Sequence, residues 1–116
     1  MSKEQTSTQM YQYNGFYFNE EQMEQINKGL AEGLDVSIYA DPKYNSDQMS
    51  AIHDGLEYGL DVSVYANPDL SAEEMQHYLH ELFIEKKKAL KEEKKALRKE
   101  KFSRFFNKFL FRKALP

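Results

Sequence analysis

Residues 18–43 and 44–69 align without a gap and are identical at 14 of 26 positions. The identities include Asn19/Asn45, Gln22/Gln48, Met23/Met49, Ile26/Ile52, Gly29/Gly55, Gly33/Gly59 and Tyr39/Tyr65. No other feature limits the fold as strongly. Self-similarity at a fixed period of roughly 20–50 residues marks supersecondary units that bury their apolar faces on their neighbours. Continued backwards, the period sets Tyr13 opposite Tyr39; continued forwards, it sets Met75 opposite Met49. The array therefore reads as half a unit at 9–17, two full units, and a third that begins at Leu70 and then changes character.

Each unit opens on a helix-start signal. Asn19, Asn45 and Ser71 are N-cap residues, and Gln22, Gln48 and Glu74 follow at capping-box spacing. An apolar residue precedes each cap (Phe18, Tyr44, Leu70), and Met23, Met49 or Met75 stands four positions after it, as in a hydrophobic staple. Helices are expected at 20–32, 46–58 and from 72 onward. Met23, Ile26 and Leu30, repeated as Met49, Ile52 and Leu56, form the stripe that each helix should bury.

Gly33 and Gly59 stand where a helix needs a left-handed residue to stop. The following Leu-Asp-Val-Ser-(Ile/Val)-Tyr-Ala-x-Pro has two readings. By residue preference, 36–39 and 62–65 are short strands of an α/β repeat. By punctuation, Asp35 and Asp61 cap short helices running to Ala40 and Ala66, ended by Pro42 and Pro68. The second is favoured, because three short parallel strands would leave edges with little to cover them. The expected fold is all-α: a body of helix–short helix units with a long basic C-terminal helix.

The pattern Gln-Met-x-x-Ile-x-x-Gly-Leu-x-x-Gly-Leu, followed by Tyr-Ala-x-Pro, resembles short tandem repeats in proteins of phages and integrative elements of gram-positive bacteria. The resemblance covers about residues 10–82. It implies a helical stretch before Tyr-Ala-x-Pro. It also implies the company of small proteins that counter bacterial defence systems, including anti-CRISPR-like inhibitors. Relatives carry Ile-Arg where this chain has Ile26-Asn27 and Ile52-His53, so any role of that arginine is missing.

The net charge of −3 conceals two opposite halves. Residues 1–80 hold three basic and 14 acidic residues, whereas residues 81–116 hold 13 basic and five acidic ones. Such a chain has two surfaces with different electrostatic preferences. Three segments follow: a tail and partial repeat at 1–17, the repeat body at 18–83, and a basic arm at 84–116. In the third unit Glu81 and Glu85 replace the stop glycines, so the helix should continue. Residues 87–100 read KKALKEEKKALRKE, a thin apolar stripe closer to a solvated helix than to a coiled coil. Lys88/Glu92 and Glu100/Arg104 offer i,i+4 pairs. Beyond it, Phe102, Phe105, Phe106, Phe109 and Leu110 share one helical face. That face could fold back on the repeats, dock on a partner or a second copy, or lie on an anionic membrane.

Chemistry for catalysis is missing. The absence of cysteine excludes thiolate metal sites and cysteine nucleophiles, and no phosphate loop or nucleophile elbow occurs. Glu73, Glu74, His77 and His80 lie a turn apart but lack a second ligand set, so neither a metal nor a cofactor is expected. With no apolar leader and no long apolar run, a cytoplasmic location is expected. The expected function is non-enzymatic protein binding, directed at a partner with a basic cleft such as a defence nuclease. The acidic candidates are Glu20, Glu21, Glu24, Asp47, Asp54 and Glu57. The arm candidates are Lys94, Lys95, Arg98, Lys101, Arg104, Phe105, Phe106 and Phe109. The alternatives are nucleic-acid or membrane-surface binding through the arm, and self-assembly through its phenylalanines.

Overall fold

The computed structural model describes the backbone of residues 9–114 and the side chains of residues 9–107. The chain is mostly helical, with a small antiparallel hairpin at the front. Its elements are β1 (Tyr11–Tyr13), β2 (Phe16–Phe18), α1 (Glu20–Ala31), a 3-10 turn at Val36–Ile38, α2 (Ser46–Glu57), a second 3-10 turn at Val62–Val64, and α3 (Ala72–Ala114). It divides into two compact units, Met1–Phe83 and Ile84–Pro116.

The hairpin corrects the all-α expectation. Residues 9–17 are not a lone half unit: Tyr11 pairs with Phe18 and Tyr13 with Phe16. Asn14 and Gly15 both have positive φ (53° and 87°), which is what a two-residue type I′ turn demands. Aromatic residues on both strands suit a pleated surface, and Phe18 is fully buried.

Both helix starts form as their caps require. The Asn19 side chain accepts from the Gln22 N–H, and the Gln22 side chain accepts from the Asn19 N–H. Asn45 and Gln48 repeat the exchange at 2.8 Å in each direction. Both helix ends form the same double bond pattern. Leu34 N–H reaches Gly29 O and Gly33 N–H reaches Leu30 O; Leu60 and Gly59 do the same with Gly55 and Leu56. This is a Schellman motif, and it places Gly33 and Gly59 at φ of 73° and 70°.

The segments at 36–39 and 62–65 are helical, not extended. Asp35 and Asp61 cap them by accepting from the N–H of Ser37 and Ser63. Each is one 3-10 turn, shorter than a helix to Ala40 or Ala66, because the backbone bonds already close at Tyr39/Ala40 and Tyr65/Ala66.

Two long-range devices hold these elements together. The Tyr39 hydroxyl donates to Gln25 O at 2.7 Å, and the Tyr65 hydroxyl donates to Ala51 O at 2.8 Å. Each tyrosine thus runs its ring down the helix that precedes its own turn. Gln22 Nε2 donates to Tyr44 O at 2.7 Å, and Gln48 Nε2 donates to Leu70 O at 2.6 Å and to Pro68 O at 3.1 Å. One glutamine therefore closes its own cap and grips the backbone just before the next one. Glu74 replaces it at the third cap, where it accepts from Ser71 N–H but has no N–H to donate.

The core contains Phe18, Ile26, Tyr39, Met49, Ile52, Tyr65 and Met75, all at zero exposure. The expected helix stripe is only partly buried. Met23 and Leu56 pack at its margin, and Leu30 is exposed, because the approaching tyrosine covers the Gly29 side of the helix instead.

Candidate functional site

Acidic side chains on α1 and α2 form the first candidate surface. Glu20, Glu21, Glu24, Asp47 and Glu57 are exposed. Glu20, Glu21 and Asp47 sit in first helical turns, where the helix dipole favours a carboxylate whatever its function. Glu24 lies past the first turn and has no such role. Among the described residues, no Lys or Arg side chain forms an ion pair with any of these carboxylates.

Asp54 does not belong to that free surface. Its carboxylate is about one-third exposed and bonds to the ring of His53, Oδ1 to Nδ1, at 3.1 Å. His53 is fully buried, and its other nitrogen, Nε2, lies 3.0 Å from Glu32 Oε1. Tyr39 packs its ring edge-on to His53 at 6.5 Å. Burial, reinforced by the Glu32 carboxylate, pushes the Tyr39 hydroxyl up to about 12. Burial likewise raises Tyr65, with Asp54 adding to it. Glu57, one turn on from His53, completes a cluster of Glu32, His53 and Glu57.

Sequence reasoning passed over this cluster. Glu32 and His53 are 21 residues apart, and no local pattern joins them. His53 Glu57, an i,i+4 pair on one helix, is the signal that could have drawn notice. His77, which lies a turn from Glu73 and His80, pairs loosely with Glu81 at 3.6 Å, both more than 60% exposed.

Residues 84–107 form the second candidate surface, and every side chain there is exposed. Lys94, Lys95, Arg98 and Lys101 are among them. Ile84, Leu90, Lys87, Lys88, Lys91 and Lys94 line a shallow apolar strip rimmed with ammonium groups. Arg104 pairs with Glu100 at 2.9 Å, as the spacing predicts, whereas Lys88 and Glu92 do not close to ion-pair distance. Phe105 and Phe106 are exposed, and Phe102 stacks on Phe106 with ring centres 5.9 Å apart. Phe109 lies on α3, but its side chain is outside the described residues. Among the described residues, no helix is long and apolar enough to cross a membrane.

No protein-family model matches the chain, and no curated protein or solved structure matches it either.

Proposed function

We propose that this is a non-enzymatic protein-binding module: a helical-repeat body whose acidic faces occupy a basic cleft of another protein, with the basic, Phe-rich arm as a second contact. The observation that carries this reading is the exposure of the carboxylates of Glu20, Glu21, Glu24 and Asp47, none of which forms an ion pair with a Lys or Arg among the described residues. Unpaired charge of one sign costs a fold self-repulsion, and it steers association with a partner of the opposite sign. The resemblance to repeats of phage and integrative-element proteins suggests the class of partner, a bacterial defence nuclease, and with it a cytoplasmic setting. Two units of a 26-residue sequence repeat would supply the scaffold such a surface needs.

The test uses the full-length chain. A variant carrying Glu20→Gln, Glu21→Gln, Glu24→Lys and Asp47→Asn leaves caps, core and the His53 cluster intact. It should fold with an unchanged circular dichroism spectrum and lose the partner that the natural chain captures. The exposed ammonium and phenylalanine side chains of 84–107 favour a second reading, binding of nucleic acid or an anionic membrane through the arm. Under that reading, neutralising Lys94, Lys95, Arg98 and Lys101 abolishes binding, while the body variant binds as before.

A further inference from the structure

Glu32 caps the C-terminus of α1, and His53 and Glu57 stand one turn apart on α2. One ligand atom from each lies within 4.8 Å of the others. The set joins the two copies of the sequence repeat, and at the equivalent point of the first copy Asn27 replaces His53. It is therefore a feature of this junction alone.

The hydrogen-bond chemistry of His53 leaves something to be supplied. A neutral imidazole has one N–H, and an ionised carboxylate only accepts. With the Nδ1 hydrogen given to Asp54, Nε2 turns a lone pair toward Glu32 Oε1 at 3.0 Å. Two acceptors at that distance require a cation between them, either a second proton or a metal ion. Three carboxylates, Glu32, Asp54 and Glu57, surround this one ring. The titratable neighbours Tyr39, packed on His53, and Tyr65, which feels Asp54, direct their hydroxyls to Gln25 O and Ala51 O. No Lys or Arg among the described residues pairs with the three carboxylates. A proton offsets one negative charge, whereas a divalent ion offsets two.

We infer that Glu32, His53 and Glu57 form a binding site for a divalent transition-metal ion of the zinc class, with Asp54 orienting the His53 ring. A carboxylate behind the non-ligating nitrogen is the usual support of a metal-binding histidine, because it fixes both tautomer and ring direction. Imidazole with carboxylates suits Zn²⁺ and its neighbours, whereas Ca²⁺ and Mg²⁺ prefer oxygen-only sets. Ligand bonds of about 2.0–2.2 Å require the three atoms to draw together, and the exposed Glu57 side chain is free to swing inward. Three protein ligands leave a fourth position for water. Occupancy ties the end of α1 to the middle of α2. This inference is independent of the partner-binding reading.

The test titrates chelator-treated, full-length protein with ZnCl₂ by calorimetry, with thermal unfolding followed in parallel. The expected result is one Zn²⁺ per chain and a raised melting temperature. Glu57→Gln and Glu32→Gln should each weaken binding at least ~10-fold, and Asp54→Asn roughly 10- to 100-fold. His77→Gln combined with His80→Gln should bind as the natural chain does. Because His53 is fully buried, its ring is read in the natural chain by long-range ¹H–¹⁵N NMR: Zn²⁺ should shift Nε2 while Nδ1 keeps its hydrogen. The inference is overturned by any of three results. These are no stoichiometric binding, binding that survives Glu57→Gln and Glu32→Gln or disappears with His77 and His80, and a His53 ring protonated at both nitrogens that Zn²⁺ leaves unmoved.

Discussion

The Tyr39 hydroxyl occupies the space in which a side chain on Gly29 would stand, and Tyr65 does the same to Gly55. Val36 and Val62 close the same space from the other side. Each glycine is there because another residue's ring must reach the helix backbone.

Replacing an exposed mid-helix glycine with alanine ordinarily stabilises a helix by about 0.5–1 kcal/mol. Gly29→Ala and Gly55→Ala should do the opposite and destabilise the protein by about 1–3 kcal/mol, the range of overpacked cores. Urea unfolding measures this. Combining Gly29→Ala with Tyr39→Phe should cost less than the sum of the two single changes, since removing the hydroxyl relieves the collision.

Gln22 and Gln48 each combine an acceptor for their own cap with a donor for the next. Gln22→Glu or Gln48→Glu keeps the acceptor and loses the donor, and it places a carboxylate at sites that are 7% and 6% exposed. Each change should cost about 1–3 kcal/mol. Glu74→Gln at the exposed third cap should stay within about 0.5 kcal/mol. A comparison of the three midpoints in one denaturant series checks both statements.

Alkaline stability should depend on the buried tyrosines. Burial raises Tyr39 from 10.0 to about 12 and raises Tyr65 and Tyr44 as well. In the unfolded chain these phenols ionise near their ordinary value. The folded chain holds its protons longer, so the stabilisation is complete below pH 10 and declines as pH climbs toward 12 and beyond. A tyrosinate also cannot donate to Gln25 O or Ala51 O. Absorbance at the phenolate band should show Tyr39 and Tyr65 ionising only together with loss of helical circular dichroism.

Much of the body was legible because its punctuation is local. Capping pairs such as Asn19/Gln22 act over three residues, and the stop glycines need only their own φ, so the sequence displays both. The segments at 36–39 and 62–65 were settled by Asp35 and Asp61 against the β preference of Val-Ser-Ile-Tyr. The hairpin has a local signal in Asn14-Gly15, but it stands where the period, extended backwards, puts half a helical unit, so the repeat masks it. What joins residues far apart left no local trace: the Gln22 donor reaches Tyr44, and Glu32 meets His53 across a chain reversal. Asp54 looked exposed by helical spacing, yet it turns toward that same ring.

Binding of a basic-cleft protein by the acidic faces is read out by paired capture. Immobilised full-length protein and its Glu20→Gln, Glu21→Gln, Glu24→Lys, Asp47→Asn variant face the same nuclease-treated bacterial lysate at roughly physiological salt. The natural chain should retain one protein in stoichiometric amount that the variant does not retain, with both chains unfolding at closely similar temperatures. Equal retention by a folded variant, or no retained protein on the natural chain, would contradict it.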